Sequence, residues 1–115
     1  MVEKVTDALY TEKEMYEFSN NTHRIGTLAN VTYDDLVRYL GEPTLPNPSD
    51  DNKIQVEWIF NIDGDGYTIY DYKSPSRDYT LQERTVWSIG GSHRSHEFYE
   101  WLENTIDKTV LIEIK

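Results

Sequence analysis

IQVEWIF (Ile54–Phe60), NIDGDG (Asn61–Gly66) and YTIYDYK (Tyr67–Lys73) follow one another without a break, and the rest of the chain is placed by what this stretch does. Both flanks show the two-residue alternation that sends successive side chains to opposite faces of a strand. On the first arm Ile54, Val56, Trp58 and Phe60 make one apolar face, and Gln55 and Glu57 point the other way. The second arm is rich in β-branched and aromatic residues (Tyr67, Thr68, Ile69, Tyr70, Tyr72), which suit a pleated, half-buried surface. Tyr67 and Tyr70 fall on opposite faces of that arm. Between the arms lie Asp63-Gly64 and Asp65-Gly66, and Asp-Gly favours a two-residue hairpin turn because both turn positions need positive φ. The stretch is therefore expected to be a β-hairpin.

Outward toward the C-terminus, Ser74 to Asp78 reads as loop and RTVWSI (Arg84–Ile89) alternates as a third strand, with Gly90-Gly91 expected to end it. Ser92 or Ser95 can cap a helix over about 92–106, with Phe98, Trp101, Leu102 and Ile106 on its buried face. Glu100, Glu103 and Asp107 then fall on the opposite face as an acidic stripe, and Glu97 adds to it. VLIEI (Val110–Ile114) is a short apolar strand that can join an edge of the sheet.

Outward toward the N-terminus, residues 43–52 are rich in Pro, Asn and Asp, an exposed loop that carries Asp50 and Asp51. Residues 32–40 carry consistent helix signals. Thr32 is an N-cap, Asp34 and Asp35 bring negative charge to the positive end of the helix, and Val31 and Leu36 stand where a hydrophobic staple would put them. Tyr33, Leu36, Val37 and Leu40 share a face, Gly41 can take the left-handed stop, and Pro43 prevents continuation. In residues 1–21, Val2, Val5 and Leu9 sit at helical spacing, which predicts a helix followed by an extended piece, with a loop at Ser19–Thr22. The fold expected from these elements is α+β: an antiparallel sheet of three to four strands built on the 54–73 hairpin, with two main helices (about 32–40 and 92–106) packed on one face. A chain of 115 residues fits a single domain, 1–115, with 1–21 the segment least tied to it.

The net charge is −10, from 21 acidic against 11 basic residues. Such a balance argues against direct nucleic-acid binding, which depends on neutralising phosphates with Lys and Arg, and against anionic membranes. It favours basic protein surfaces, including nucleic-acid grooves. There is no cysteine, hence no disulfide and no thiolate chemistry. The N-terminus lacks the apolar core of a signal peptide, and no apolar run is long enough to span a bilayer, so a soluble intracellular protein is expected.

Motifs for chemistry are weak. Asn61, Asp63, Asp65 and Gly66 occupy positions 1, 3, 5 and 6 of a calcium loop, but position 12 is Tyr72, not Glu, and the residues after the glycine alternate as a strand. His93 and His96 are three apart, yet only His23 could add a third imidazole and no HExxH surrounds them. Gly90-Gly91-Ser92 lacks the longer glycine-lysine pattern of a nucleotide loop, and there is no GxSxG. No catalytic residue, metal site or cofactor is expected. The binding candidates are the carboxylates Glu97, Glu100, Glu103, Asp107, Asp50 and Asp51.

VTYDDLVRYLGEPT (Val31–Thr44), KIQVEWIF (Lys53–Phe60), YTIYDYK (Tyr67–Lys73) and VWSIGGSH (Val86–His93) together resemble a family of small acidic proteins encoded by bacteriophages and prophages. In that family a helix ending in Gly-Glu-Pro leads to a strand with a central Trp, a T-I-Y-D-[WY]-K strand and a W-x-I-G-G turn before a helix. The likeness covers roughly residues 27–106 and carries over no catalytic residue. It implies a phage origin and work in the cytoplasm of the infected host cell. The expected function is a non-enzymatic protein that binds and inhibits a host protein, most sharply an anti-CRISPR or other anti-defence inhibitor whose acidic surface mimics nucleic acid. The expected partner is a host protein with a basic nucleic-acid-binding surface, met by a monomer or homodimer. A self-associating scaffold module pairing through its sheet edge is the alternative, and a metal-dependent hydrolase using His93 and His96 the third.

Overall fold

The hairpin forms where the alternation requires it. In the computed structural model, which describes residues 1–115, the two arms pair antiparallel and the turn is Asp63-Gly64, with φ of 52° and 92°. Asp65-Gly66 belongs to the second arm instead. In chain order the elements are β1 (Glu3–Lys4), α1 (Glu12–Asn20), β2 (His23–Ala29), α2 (Tyr33–Leu40), β3 (Ile54–Ile62), β4 (Asp65–Tyr72), α3 (Arg77–Gln82), β5 (Val86–Gly91), α4 (His96–Thr105) and β6 (Leu111–Ile114). No helix is long and apolar enough to cross a membrane.

The strands make one six-stranded antiparallel sheet in the order β1-β3-β4-β5-β2-β6, which corrects the expectation of three to four strands. Two strands were hidden. β2 begins with His23 and Arg24, contains Gly26, and shifts register between Arg24 and Gly26, so its apolar residues do not alternate cleanly. It nevertheless lies between β5 and β6, near one end of the sheet. β1 is only two residues long and pairs with β3 through Glu3 and Lys4. Gly90 and Gly91 do not end β5 but pair within it, opposite Thr68 and Tyr67 of β4 and Arg24 and His23 of β2.

The two main helices do share one face, and a further helix is added on the other. α2 and α4 cover the face that carries Trp58, Phe60, Tyr67, Ile69, Trp87 and Ile89, and they bury Leu36, Leu40, Phe98 and Leu102 against it. α1 lies on the other face, where Met15 joins Val5 and Ile59 in a small separate cluster. The main chain of Phe18 lies so close over Gly66 that no side chain fits there. The N-terminal order is the reverse of the one expected: an extended piece comes first, with Val5 wholly buried, and the helix follows. Thr11 and Glu14 close a capping box at its start.

α2 is fixed at both ends by tryptophan. The Trp87 indole donates to the carbonyl of Val31, just before the N-cap Thr32, and the Trp58 indole donates to that of Gly41 at the C-cap, at 2.9 and 2.8 Å. The two rings meet edge to face, with centroids 5.9 Å apart. α4 is tied down by Tyr99, whose hydroxyl donates to the carbonyl of Ile25 at the β2 irregularity. It starts at His96 with Ser95 as its cap, so Ser92 and its neighbours lie outside the helix. At the far end of the hairpin, the wholly buried Asp71 accepts from the backbone N–H of both Gln55 and Val56, and the Thr80 hydroxyl donates to it. This bracket fixes a bulge between Ile54 and Glu57, which carries Ile54 away from Val56 and onto the rim of the open face.

Candidate functional site

Two surfaces concentrate polar chemistry, and the sheet separates them. The first is the outward side of α4. Phe98, Tyr99 and Leu102 turn inward, which leaves Glu97, Glu100 and Glu103 exposed along the helix, with Asp107 just beyond its end. At about 1.5 Å of rise per residue, Glu100 and Glu103 are roughly 4.5 Å apart along the axis. Glu97 is met by the N-terminal amine at 2.8 Å, and Glu100 by His96 at 3.5 Å. Glu103 has no ion-pair partner. Asp107 accepts from the backbone N–H and the hydroxyl of Thr109, and these bonds hold its carboxyl below the usual range.

Asp50 and Asp51 do not join this group. They sit in the turn before β3, where Asp51 accepts from Ser49 and from the backbone N–H of Lys53 and is held below the usual carboxylate range, chiefly by Ser49. Asp51 borders a cavity shared with Tyr16 of α1 and Glu57, on the side of the sheet away from α4. The six carboxylates thus form two groups on opposite sides of the molecule.

The second surface is the part of the sheet that α1 leaves uncovered. Glu57, Tyr70, Ser88 and Thr27 pair in register across β3, β4, β5 and β2, and in the next row stand Ile59, Thr68, Gly90 and Arg24. α1 walls one side with Ser19 and Asn20, and the trough between has a volume of about 520 Å³. Glu57 is only 5 % exposed and receives one hydrogen bond, from the Ser19 hydroxyl at 2.9 Å. Burial pushes its carboxyl up to about 7. The charge of Asp71 adds to the rise, while the Ser19 and Thr68 hydroxyls ease the ionised form. The Thr68 hydroxyl is wholly buried and makes no well-formed hydrogen bond. Tyr70, half-buried, has its phenol raised above the usual value, first by burial, and Arg24 pulls the other way.

The motif histidines do not converge. His93 lies 3.2 Å from the Tyr67 hydroxyl and 3.8 Å from Asp65, whereas His96 turns to Glu100 on the helix surface. No group of three or more His, Asp or Glu side chains is arranged to hold a metal ion. Asn61 points into the hairpin turn, where its Oδ1 accepts from the backbone N–H of Gly64 at 2.7 Å. Comparison with models of known protein families, with curated proteins and with solved structures returns no match.

Alternation correctly set Glu57 opposite Trp58 and Phe60, but nothing in the local sequence shows that α1 would roof it. One signal was present in the polar set of alternate positions Glu57, Thr68, Tyr70 and Ser88, which gives the second face of the sheet a character unlike either a core or a freely solvated surface.

Proposed function

We propose that this protein works without catalysis, by binding a partner with a basic surface along the outward side of α4. The observation that carries this is the exposure of Glu100 and Glu103 on a helix held rigidly by Phe98, Leu102 and Tyr99, in a chain of net charge −10. Carboxylates carried on a rigid helix attract a basic groove and set its orientation at little cost in backbone ordering. The resemblance of residues 27–106 to phage and prophage proteins supports a host protein as the partner, with an anti-CRISPR or other anti-defence inhibitor as the sharpest form, acting in the cytoplasm of the infected cell.

The experiment is capture from host lysate, read by mass spectrometry, with the wild-type chain and with Glu100→Lys/Glu103→Lys. The double variant moves the net charge from −10 to −6, since each substitution adds two charges. Glu12→Lys/Glu17→Lys makes the same change on α1, across the sheet. Loss of a captured basic protein in the α4 variant but not in the α1 variant is expected. Equal capture by all three chains removes α4 from the interface.

A second mode, self-association through the sheet edge, is favoured by β6. It has a partner on one side only, and Leu111 and Ile114 are 64 % and 55 % exposed. Light scattering that finds only a monomer at high concentration excludes it.

A further inference from the structure

We propose that the trough between α1 and the open face of the sheet binds a small zwitterion of the amino-acid class, with its ammonium at Glu57 and its carboxylate at Arg24. The site is independent of the α4 surface and lies across the sheet from it. Its volume of about 520 Å³ falls within the range of small-ligand pockets, roughly 300–1,000 Å³.

Its one acidic lining residue is incompletely used, and a second polar group lies unpartnered beneath it. The Glu57 carboxyl takes one well-formed hydrogen bond, from Ser19 to Oε2. Beside it the buried Thr68 hydroxyl is left without a hydrogen bond. Buried polar groups rarely stay unpartnered unless a ligand or water completes them. An ammonium supplies further donors to that carboxyl.

The aromatic wall suits the same group. Tyr70 and Tyr72 meet edge to face at 6.5 Å, and tyrosine rings attract cations. The Lys73 ammonium already lies 5.2 Å from the Tyr72 ring centroid, an internal example of that contact. At the other end Arg24 is the one cation lining the trough. Glu57 and Arg24 stand three strands and one row apart, more than about 14 Å between backbones at the usual strand spacing. Their side chains reach inward, so the ligand's charges are separated by several ångströms.

Burial keeps the free Glu57 near half-protonated at neutral pH, and the incoming ammonium restores its charge. Asp71 through the sheet, Arg24, Tyr70, Tyr72, and Asp51 and Lys53 in the adjoining cavity also face Glu57. Binding therefore releases a proton and tightens as pH rises.

The test is isothermal titration calorimetry of the intact chain with ω-amino acids from glycine to 6-aminohexanoate, against pentylamine and pentanoate, at pH 6, 7 and 8. One chain length should bind best, and about tenfold more tightly at pH 8 than at pH 6, the change in ionised Glu57 for a carboxyl titrating near 7. Glu57→Gln should remove both the affinity and its pH dependence. Arg24→Gln should bind the best zwitterion no better than pentylamine. Circular dichroism confirms that both variants fold, and a variant that does not is replaced by Glu57→Asp or Arg24→Lys, each expected to weaken binding. No heat with any amino acid, pentylamine binding as tightly as every zwitterion, or an unchanged Glu57→Gln variant overturns the proposal.

Discussion

Replacing Glu57 by Gln should change the pH dependence of stability more than any other single substitution at an acidic position. In the folded chain its carboxyl holds a proton up to about pH 7, whereas in the unfolded chain it ionises near its ordinary value of 4.5. Below 4.5 both states are protonated and the group is neutral in the balance. Between 4.5 and about 7 the unfolded state releases the proton and the folded state keeps it, so stability falls as pH rises. Above 7 the loss is complete. At about 1.4 kcal/mol for each tenfold change in proton affinity, the gap from 4.5 to about 7 amounts to roughly 3 kcal/mol, of which about 2 kcal/mol falls between pH 5 and 7. Gln has nearly the same shape and keeps an acceptor for the Ser19 hydroxyl, but it does not titrate. Urea unfolding followed by tryptophan fluorescence, at half-unit steps from pH 5 to 8, measures both chains. The difference between them cancels every other titrating group, including Asp51 and Asp107, whose lowered carboxyls lose stability only on acidification below their ordinary 3.8. The variant should gain on the wild type by about 2 kcal/mol from pH 5 to 7, on the order of 8 °C in Tm. A difference that stays flat across this range would refute the claim that burial, with Asp71 nearby, keeps the proton on Glu57.

Three further outcomes follow from the fold. Asp71→Ala leaves the N–H groups of Gln55 and Val56 without an acceptor, the Thr80 hydroxyl keeping only Ser74, and should cost about 3–5 kcal/mol in urea unfolding, with Asp71→Asn milder because one oxygen remains. Trp87→Phe and Trp58→Phe should each cost about 1–3 kcal/mol, and amide exchange should speed at the start of α2 in the first and at its end in the second. Thr32→Ala should cost about 1 kcal/mol through the capping box with Asp35, read by thermal melting, and a cost near zero would mean that the box contributes nothing beyond the tertiary packing of α2.

The hairpin, α2 and α4 were legible because each has a local cause: alternation with an Asp-Gly turn, a full set of start and stop residues, and a helical stripe of Phe98, Leu102 and Ile106. β2 was not, because its place is secured by partners far along the chain. Gly26 is tolerated there since the β6 main chain at Glu113 comes too close for any side chain, a pairing invisible over seven residues. The same holds for Gly90-Gly91, which read as a break but pair on both sides. Val5 and Met15 belong to a cluster closed by Ile59, more than forty residues away, so the N-terminal order could not be taken from spacing alone. The acidic candidates were found as residues but not as a surface. Helical geometry groups Glu97, Glu100 and Glu103, and only the sheet shows that Asp50 and Asp51 lie on its other side. Glu57 gained its special environment from a helix that the sequence placed elsewhere in the chain.

The claim that an acidic helix face occupies a basic, nucleic-acid-binding groove is tested most directly by competition. With a captured partner immobilised at physiological salt, the wild-type chain is bound to saturation and duplex DNA is then titrated in. Displacement of the protein by DNA, with Glu100→Lys/Glu103→Lys released at lower DNA concentration, is the predicted result. A partner that holds DNA and this protein together, with no loss of either, would contradict it.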